Sequence, residues 1–321
     1  MLQLPDFEEK QIVIVRAEQG EKLPEIHFKN DNVALSRDGK VLNQVSCHKV
    51  FAVFIIGDAT ITTTLIRKAL SYGISLFLMK QNLDTYATIG AMAEGNYALR
   101  YKQYELSNPL PFAKNLIKNK FSNQLTLLWE KVPDYFGAKS RHQVYKILSE
   151  KVDNAKSLDE LLGLEGNNSK IFFQNYFRDI NWFKRMPRTK VDVPNFMLDL
   201  GYTQLFNFVD SILRLHGFDT YKGIYHQLFF QRKSLTCDVM EPFRCLIDKA
   251  LVKGYNLGKI KNSDFKQVKG RYIISFDKNR EYMTLFLDEI MKNKDDIFKY
   301  IKQFYFCVLN ETADYPFYKY E

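Results

Sequence analysis

Two carboxylates in the last third of the chain have residue types and a spacing that could form part of a divalent-cation site. Asp238 and Glu241 lie three positions apart at the start of a segment with helical periodicity, and Pro242 follows directly. The same pair fits a capping box, in which each carboxylate accepts a backbone N–H of the first helical turn. These residues alone leave both interpretations open, with the cap the simpler one.

His226 favours the metal interpretation. It precedes Asp238 by twelve residues, and the basic segment 227–236 can fold back to bring the imidazole beside the acids. Two carboxylates and a neutral imidazole suit Mg²⁺ or Mn²⁺. A third protein ligand has to come from a distant part of the chain. Glu165, directly before Gly166, is the candidate, although its spacing does not distinguish it from other acids.

The elements that position these residues fall into two halves with different periodicity. Residues 1–92 contain short segments rich in β-branched residues, and the Asp38–Gly39 pair between two of them predicts a hairpin. The apolar run at 50–57 predicts a central strand, and one helix is expected over 62–73. The strands are expected at 11–15, 25–28, 32–36, 40–46, 50–57, 74–80 and 85–92.

From residue 93 onward the hydrophobic positions recur with helical spacing. Helices are expected over 112–132, 142–152, 157–166, 169–183, 196–217, 241–254, 280–293 and 297–310, with a short hairpin near 270–276. The sequence therefore predicts an α+β protein. Its small N-terminal β-rich domain spans 1–92, and a larger all-α C-terminal domain at 93–321 carries the acids and the histidine.

Composition and charge narrow the class of protein. Hydrophobic residues make up 46% of the chain and charged residues 26%, the balance of a soluble globular protein. No apolar run approaches the ~20 residues of a membrane span, and no signal peptide is recognisable, so we expect a cytoplasmic protein without a membrane partner. The four scattered cysteines lack a CxxC pair, which argues against zinc or disulfides. The formal net charge of +9 favours a polyanionic partner.

Several segments resemble, in order and wording, the CRISPR-associated integrase, which is the metal-dependent endonuclease of the spacer-acquisition complex. The most specific string is Asp-x-Met-Glu-Pro-Phe-Arg at 238–244, with a histidine about a dozen residues earlier. The similarity extends from the β-rich half to about residue 251. It is carried further by LEG (164–166), VPNFMLDLGY (193–202), GFDTYKGIYH (217–226), GDATITT (57–63), GNYALRYKQY (95–104) and KNKFSNQ (118–124).

The resemblance implies the identity of the catalytic residues. Matched motif by motif, the metal ligands are Glu165, His226 and Glu241, and Asp238 is a neighbouring acid that ligates the metal or orients a ligand. The chain departs from the family at 167–169, where Asn-Asn-Ser replaces the usual small residues. The implied fold is an N-terminal β-domain followed by a helical domain, in agreement with the periodicity.

The resemblance also implies a reaction and its partners. The 3′-hydroxyl of a short DNA fragment, the spacer precursor, attacks a phosphodiester of the CRISPR leader–repeat in a transesterification that serves antiviral defence. Water in place of the hydroxyl gives endonuclease activity. The implied assembly is a homodimer formed through the β-domain, with a small ferredoxin-like adaptation subunit bridging two dimers. No ATP is required, which agrees with the absence of a P-loop motif.

Captured fragments differ in sequence, so the DNA has to be held by its backbone. The predicted DNA contacts are cations close to the ligands in sequence or motif: Lys184, Arg185, Arg188, Lys190, Arg232, Lys233 and Arg244. Further candidates are Arg67, Arg100 and Lys120. Aromatic residues could stack on splayed single-stranded ends, but the sequence singles out none of them.

Two alternatives of other classes stay open. One is a scaffold of the same complex that binds nucleic acid without catalysis. The other is an unrelated metal-dependent phosphoesterase that acts on a small substrate. Mn²⁺-dependent cleavage or strand transfer on branched DNA, compared between the native chain and His226→Ala, distinguishes the integrase from both.

Overall fold

The computed structural model describes residues 9–17, 22–80, 85–90, 96–180, 182–227 and 229–320, without the Phe276 side chain. A β-rich region precedes a mainly helical one, which confirms the predicted α+β class. The chain divides into two compact units, Met1–Tyr101 with Asp210–Asp219, and Lys102–Val209 with Thr220–Glu321. The predicted domain boundary between 92 and 93 lies outside the described residues and stays a prediction.

Two four-stranded sheets make up the described strands of the first unit. The strands are β1 (Gln11–Arg16), β2 (Glu25–Lys29), β3 (Asn32–Arg37), β4 (Lys40–Ser46), β5 (Val50–Ile56), β6 (Thr60–Ile61), β7 (Ser75–Met79) and β8 (Thr85–Ile89). One sheet has the order β1-β5-β7-β8, with β5 parallel to both neighbours, and the other has the order β4-β3-β2-β6. Every residue of β5 is buried, which confirms the predicted central strand.

The β3–β4 turn has the backbone that its sequence predicts. Asp38 and Gly39 have φ values of 52° and 73°, and a two-residue hairpin loop requires such positive values at both positions. The first helix, α1 (Thr63–Ser71), is capped by Thr62, whose hydroxyl accepts the Leu65 N–H at 3.1 Å. Its buried face packs into the apolar core of the unit, next to β2 and β7.

The later part of the described chain is mainly helical. The helices are α2 (Tyr97–Tyr104), α3 (Leu110–Lys131), α4 (Arg141–Asn154), α5 (Leu158–Tyr176), α6 (Val193–His216), α7 (Ser234–Met240), α8 (Arg244–Asn256), α9 (Phe276–Lys292) and α10 (Lys294–Asn310). Strands β9 (Phe265–Val268) and β10 (Arg271–Ile274) form the predicted antiparallel hairpin. Among the described helices, none is long and apolar enough to cross a membrane.

Helix α5 joins two segments that the sequence predicted as separate helices. It begins after Ser157, whose hydroxyl accepts the Glu160 N–H at 3.2 Å, and it continues through Gly163 and Gly166. A glycine inside a helix costs about 1 kcal/mol relative to alanine. Burial of the apolar face of α5 offsets this cost, so Glu165 lies inside a continuous helix rather than at the end of a shorter one.

An extended C-terminal segment, which the sequence did not reveal, is bound along α3. Asn115, Asn119 and Asn123 recur every four residues on one side of that helix. Their side chains bond the backbone of the C-terminal segment, with the Tyr320 N–H donating to Asn123 Oδ1 at 3.1 Å. Asn123 Nδ2 also donates to the Pro242 carbonyl at 2.8 Å, so this helix fixes the backbone beside Glu241.

Candidate active site

The helix that carries Asp238 begins earlier than the sequence predicted. Helix α7 begins at Ser234, so Asp238 lies inside it, and Glu241 opens a single 3₁₀ turn that leads into α8. The position before Ser234 is Lys233, and its side chain makes no capping bond. The capping-box alternative is therefore wrong, because the Asp238 carboxylate points away from the first turn and toward the preceding segment.

Asp238 fixes the backbone of residues 224–226. Its Oδ2 accepts the N–H groups of Ile224 at 2.7 Å and Tyr225 at 3.0 Å, and its Oδ1 accepts the His226 N–H at 2.9 Å. The carboxylate is buried, with a residue exposure of 1%. Gly223 is required beside it, because a Cβ there would lie 2.6 Å from the His226 carbonyl oxygen and 3.0 Å from Asp238 Oδ2.

Asp238 also orients the His226 ring. Nδ1 of the imidazole lies 2.6 Å from Asp238 Oδ1. A carboxylate at Nδ1 favours the tautomer that carries its proton there, which leaves the Nε2 lone pair for a ligand. Metal-binding histidines are commonly held in this way by an outer carboxylate. The geometry therefore suits Asp238 to orient the imidazole, since its oxygens already have four partners.

Glu165 and Glu241 are brought together by a lysine. Lys120, in the middle of α3, pairs through Nζ with Glu165 Oε1 and lies 2.7 Å from Glu241 Oε2. Ser169 and Tyr225 also donate to Glu165, at 3.2 Å and 3.4 Å. These two glutamates are thus neighbours in space, although they lie far apart in sequence.

The polar residues at 167–169, where the chain departs from the family pattern, help to position Glu165. The Ser169 hydroxyl bonds Glu165 from one helical turn away, and the Asn168 amide donates to Gln124 Oε1 on α3 at 3.0 Å. Small residues at these positions could make neither bond, so the Asn168–Gln124 bond joins α5 to α3 and the Ser169 bond holds Glu165 within α5.

Arg244 holds the other oxygen of Glu241. Its Nη2 lies 2.9 Å from Glu241 Oε1, and its guanidinium carbon lies 4.7 Å from the centre of the Tyr202 ring. Tyr202 in turn donates to Asp248 Oδ1 at 2.5 Å. Residues three and four positions apart lie on one face of a helix, as Glu241, Arg244 and Asp248 do. This spacing was a sequence signal for the Glu241–Arg244 ion pair.

These pairs keep the site charged at neutral pH. Burial alone would raise the pKa of Glu241, but Arg244 and Lys120 outweigh it and lower this pKa to about 2. Burial alone would lower the pKa of Lys120, but the carboxylates of Glu241 and Glu165 raise it. The pKa of Arg244 is also raised against the effect of burial, mainly by Glu241.

The side chains of Glu165, Glu241 and His226 have the chemistry to bind a divalent cation if the Lys120 ammonium moves away. In the part of the chain that the structure describes, no group of three or more His, Cys, Asp or Glu side chains is arranged to hold a metal ion. However, Glu241 Oε2 is buried and the Lys120 ammonium lies 2.7 Å from it, so this oxygen already faces a cation. Two carboxylates that already pair with a cation, the half-buried Glu165 and the buried Glu241, together with the His226 imidazole that Asp238 orients, are ligand types that suit Mg²⁺ or Mn²⁺.

Asp248 provides a prediction about pH. Burial raises its pKa to about 7, from 3.8 in the unfolded chain, so the folded protein retains a proton that the unfolded chain releases. The stability should therefore fall as the pH rises from the unfolded pKa of 3.8 to the folded pKa of about 7, and it should level off at higher pH. We expect Asp248→Asn to remove most of this fall, and to stabilise the protein at pH 8 by up to about 4 kcal/mol. Urea unfolding at pH 4 to 8 tests this, and parallel profiles for the two proteins would contradict it.

A family profile described as CRISPR associated protein Cas1 matches residues 19–288 of the chain. The chain belongs to the Cas1 family. This finding confirms the resemblance that the sequence motifs indicated. A relative from Thermodesulfovibrio yellowstonii, named CRISPR-associated endonuclease Cas1 1, is 29% identical to this Cas1 chain over 253 residues, covering 75% of the chain and 80% of the relative.

Solved structures share the fold of this Cas1 chain. One belongs to a Cas6-RT-Cas1--Cas2 complex, with a TM-score of 0.79 and 23% identity, and the match covers 98% of this chain and 36% of that one. Another is a casposase bound to integration product, with a TM-score of 0.78 and 18% identity, covering 97% of this chain and 94% of that one. At these identities the similarity concerns the fold.

The predicted DNA contacts of this Cas1 chain lie in different environments. Arg185 donates to Asn195 Oδ1 at 3.0 Å and to Asp199 Oδ1 at 2.6 Å, and Arg244 pairs with Glu241. Both stay predictions as DNA contacts, and a phosphate would have to compete with these partners. The others are Lys184, Arg188, Lys190, Arg232 and Lys233, and they also stay predictions.

An exposed turn after His226 adds a feature that the sequence did not single out. Phe229 and Phe230 are 74% and 83% exposed, and they precede the basic residues Arg232 and Lys233. The turn closes with the Arg232 N–H donating to the Phe229 carbonyl at 3.0 Å. Exposed rings beside cations are suited to stacking on unpaired bases.

Proposed function

We propose that this protein is a metal-dependent DNA endonuclease and integrase of CRISPR adaptation. It would join the 3′-hydroxyl of a short DNA fragment to the CRISPR array by transesterification. The observation that carries the proposal is the pairing of Glu165 with Glu241 around the buried Lys120 ammonium. Tyr225, which donates to Glu165, directly precedes His226, whose ring Asp238 orients. Family membership supports the same conclusion.

Glu165, Glu241 and His226 would hold Mg²⁺ or Mn²⁺. When bound, such an ion polarises a phosphoryl oxygen and stabilises the charge that develops during an in-line displacement. Other residues of the chain position these ligands. Asp238 keeps the imidazole in one tautomer, and Arg244 binds one oxygen of Glu241, which leaves the other oxygen for the cation.

The chemistry is balanced without an external energy source. The oxygen of the attacking 3′-hydroxyl forms a bond to phosphorus as the bond to the leaving 3′-oxygen breaks, and the proton lost by one hydroxyl is gained by the other. With water as the nucleophile the same displacement is hydrolysis. A structural neighbour, a casposase bound to integration product, supports strand transfer on this fold.

The proposed partners are DNA, a second copy of the chain and a small bridging subunit. DNA binding is supported by the net charge of +9 and by the exposed basic turn after His226. A structural neighbour belongs to a complex that contains Cas2, which supports a bridging subunit. We propose that dimers form through the β-rich region and that the protein acts in the cytoplasm.

The central test compares His226→Ala with the native chain on branched DNA. Loss of one metal ligand should lower Mn²⁺-dependent cleavage and strand transfer by about 10²-fold, since ligand and orienting groups at metal sites typically matter on this scale. DNA affinity, measured over a range of salt concentrations, should be unchanged because phosphate contacts dominate it. His142→Ala, at an exposed position of α4, is the matched control.

One alternative has an observation in its favour. The Lys120 ammonium already pairs with both glutamates, as expected for a scaffold that binds DNA without catalysis. Equal activity of the native chain and His226→Ala would remove His226 from the site. Salt-dependent DNA binding with no Mn²⁺-dependent activity in either protein would favour the scaffold.

A further inference from the structure

Lys120 is an unusual lysine, because its side chain is buried in the middle of α3. The residue is 6% exposed, whereas lysine is almost never buried unless it is paired. Its Nζ pairs with Glu165 Oε1 and lies 2.7 Å from Glu241 Oε2. The ammonium thus bridges two carboxylates that the proposed function assigns to a metal ion.

The charges of this cluster already balance. Glu165 and Glu241 carry two negative charges, and Lys120 and Arg244 carry two positive ones. A divalent cation on the same two carboxylates would add two positive charges next to the ammonium. Like charges repel strongly in a poorly solvated site, so the ammonium and the ion cannot both pair with the two carboxylates.

Arg244 and Lys120 differ in how they can respond. Arg244 binds Oε1 of Glu241 and lies over the Tyr202 ring, so it need not move when Oε2 takes another partner. Lys120 contacts Oε2 itself. Its ammonium is a compact charge on a flexible four-carbon stem, which can swing away without a change in the helix.

We propose that Lys120 is a displaceable internal cation, which holds Glu165 and Glu241 together in the metal-free protein and leaves both carboxylates when a divalent cation binds. This inference rests on the proposed metal site. It explains how two acids, of which Glu241 is buried and Glu165 half-buried, can be kept adjacent before the ion arrives. It also means that metal binding includes the breaking of two ion pairs, so the lysine weakens the affinity for the ion.

The first test replaces Lys120 with methionine, which keeps the unbranched stem but removes the charge. Calorimetric titration with Mn²⁺ should show about 10-fold tighter binding or more, within the 5–150-fold range typical of coupled binding events. The melting temperature should be lower than that of the wild type in EDTA and should rise further with Mn²⁺. Lys118→Met, which removes a lysine of the same helix that pairs with Asp153 instead, should match the wild type.

The second test needs no variant. Lysine acylation of the wild-type protein, read by mass spectrometry, should modify Lys120 slowly in EDTA and faster with saturating Mn²⁺. Lys118 should react equally in both conditions. Unchanged labelling of Lys120 while Mn²⁺ is bound would overturn the displacement, even if Lys120→Met does not fold.

The outcomes separate this inference from the proposed function. If Mn²⁺ binds to the wild type and Glu165→Gln abolishes that binding, the metal site stands. Equal or weaker Mn²⁺ affinity of Lys120→Met would then overturn only the competitor role. If Mn²⁺ binds to neither the wild type nor Lys120→Met, the metal site and the inference are both overturned.

Discussion

Replacing Glu241 with glutamine is expected to lower the rate of Mn²⁺-dependent DNA cleavage by about 10³-fold. A bound metal ion stabilises the transition state by several kcal/mol, and each ~1.4 kcal/mol corresponds to a factor of ten in rate. The amide keeps the size of the side chain but loses the charge that would hold the ion. Rates on branched DNA at saturating Mn²⁺ check this prediction.

The same substitution should also destabilise the metal-free protein. Glu241 is buried between Arg244 and Lys120, and removing one partner of a buried ion pair typically costs about 3–5 kcal/mol. The double variant with Lys120→Met should lose less stability than the sum of the single variants, because the uncompensated ammonium is gone. Glu130→Gln, at a half-exposed ion pair with Lys249, is the control. A rate within a few-fold of the wild type would remove Glu241 from the site.

Asp238→Asn should lower both the stability and the Mn²⁺ affinity, although we do not expect Asp238 to contact the metal. The native carboxylate accepts three backbone N–H groups and pairs with His226 Nδ1. An asparagine amide places an N–H where an acceptor is needed and leaves donors unpaired. Because each buried unsatisfied group costs about 1–3 kcal/mol, we expect a stability loss of about 3 kcal/mol. Mn²⁺ affinity should fall about 10–100-fold, as is typical when an outer carboxylate is lost.

Thermal unfolding in EDTA and Mn²⁺ titration measure these two effects separately. Asp153→Asn, at an exposed ion pair on α4, should leave both unchanged. A normal Mn²⁺ affinity with reduced stability would show that Asp238 contributes to folding but not to metal binding. Loss of binding as complete as in Glu165→Gln would instead indicate that Asp238 ligates the metal.

In the β-rich half, local signals in the sequence were sufficient to predict the β3–β4 turn and the central strand. Asp38 and Gly39 adopt the two positive φ values that their turn requires, and the uniformly apolar segment at 50–56 is the buried central strand. In both cases the cause acts over a few residues, either through the backbone freedom of the turn or through burial on both faces of a sheet.

The helical half shows where local signals fail. The sequence predicted separate helices over 157–166 and 169–183, but they form the single helix α5, because its packing overrides the low helix propensity of Gly163 and Gly166. Asp238 and Glu241 resembled a cap, but the helix begins four residues before Asp238, so the acid faces the loop at 224–226. Tertiary contacts decide both outcomes, and no window of neighbouring residues contains them.

The proposed site residues were identified by family motifs rather than by spacing. Spacing did not distinguish Glu165 from the other acids, and its partner Lys120 lies 45 residues away. One local signal was present, because Lys120 lies on the face of α3 that buries Leu116, Ile117 and Asn123. A lysine on a buried helical face needs an anionic partner, but the sequence alone does not say which one.

A crystal of the protein soaked in Mn²⁺, with anomalous diffraction data, tests the central claim most directly. We predict one anomalous peak within coordination distance of Glu165, Glu241 and His226, with the Lys120 ammonium no longer between the two carboxylates. A peak at another position, or no peak while Lys120 still bridges Glu165 and Glu241, would contradict the proposed metal site.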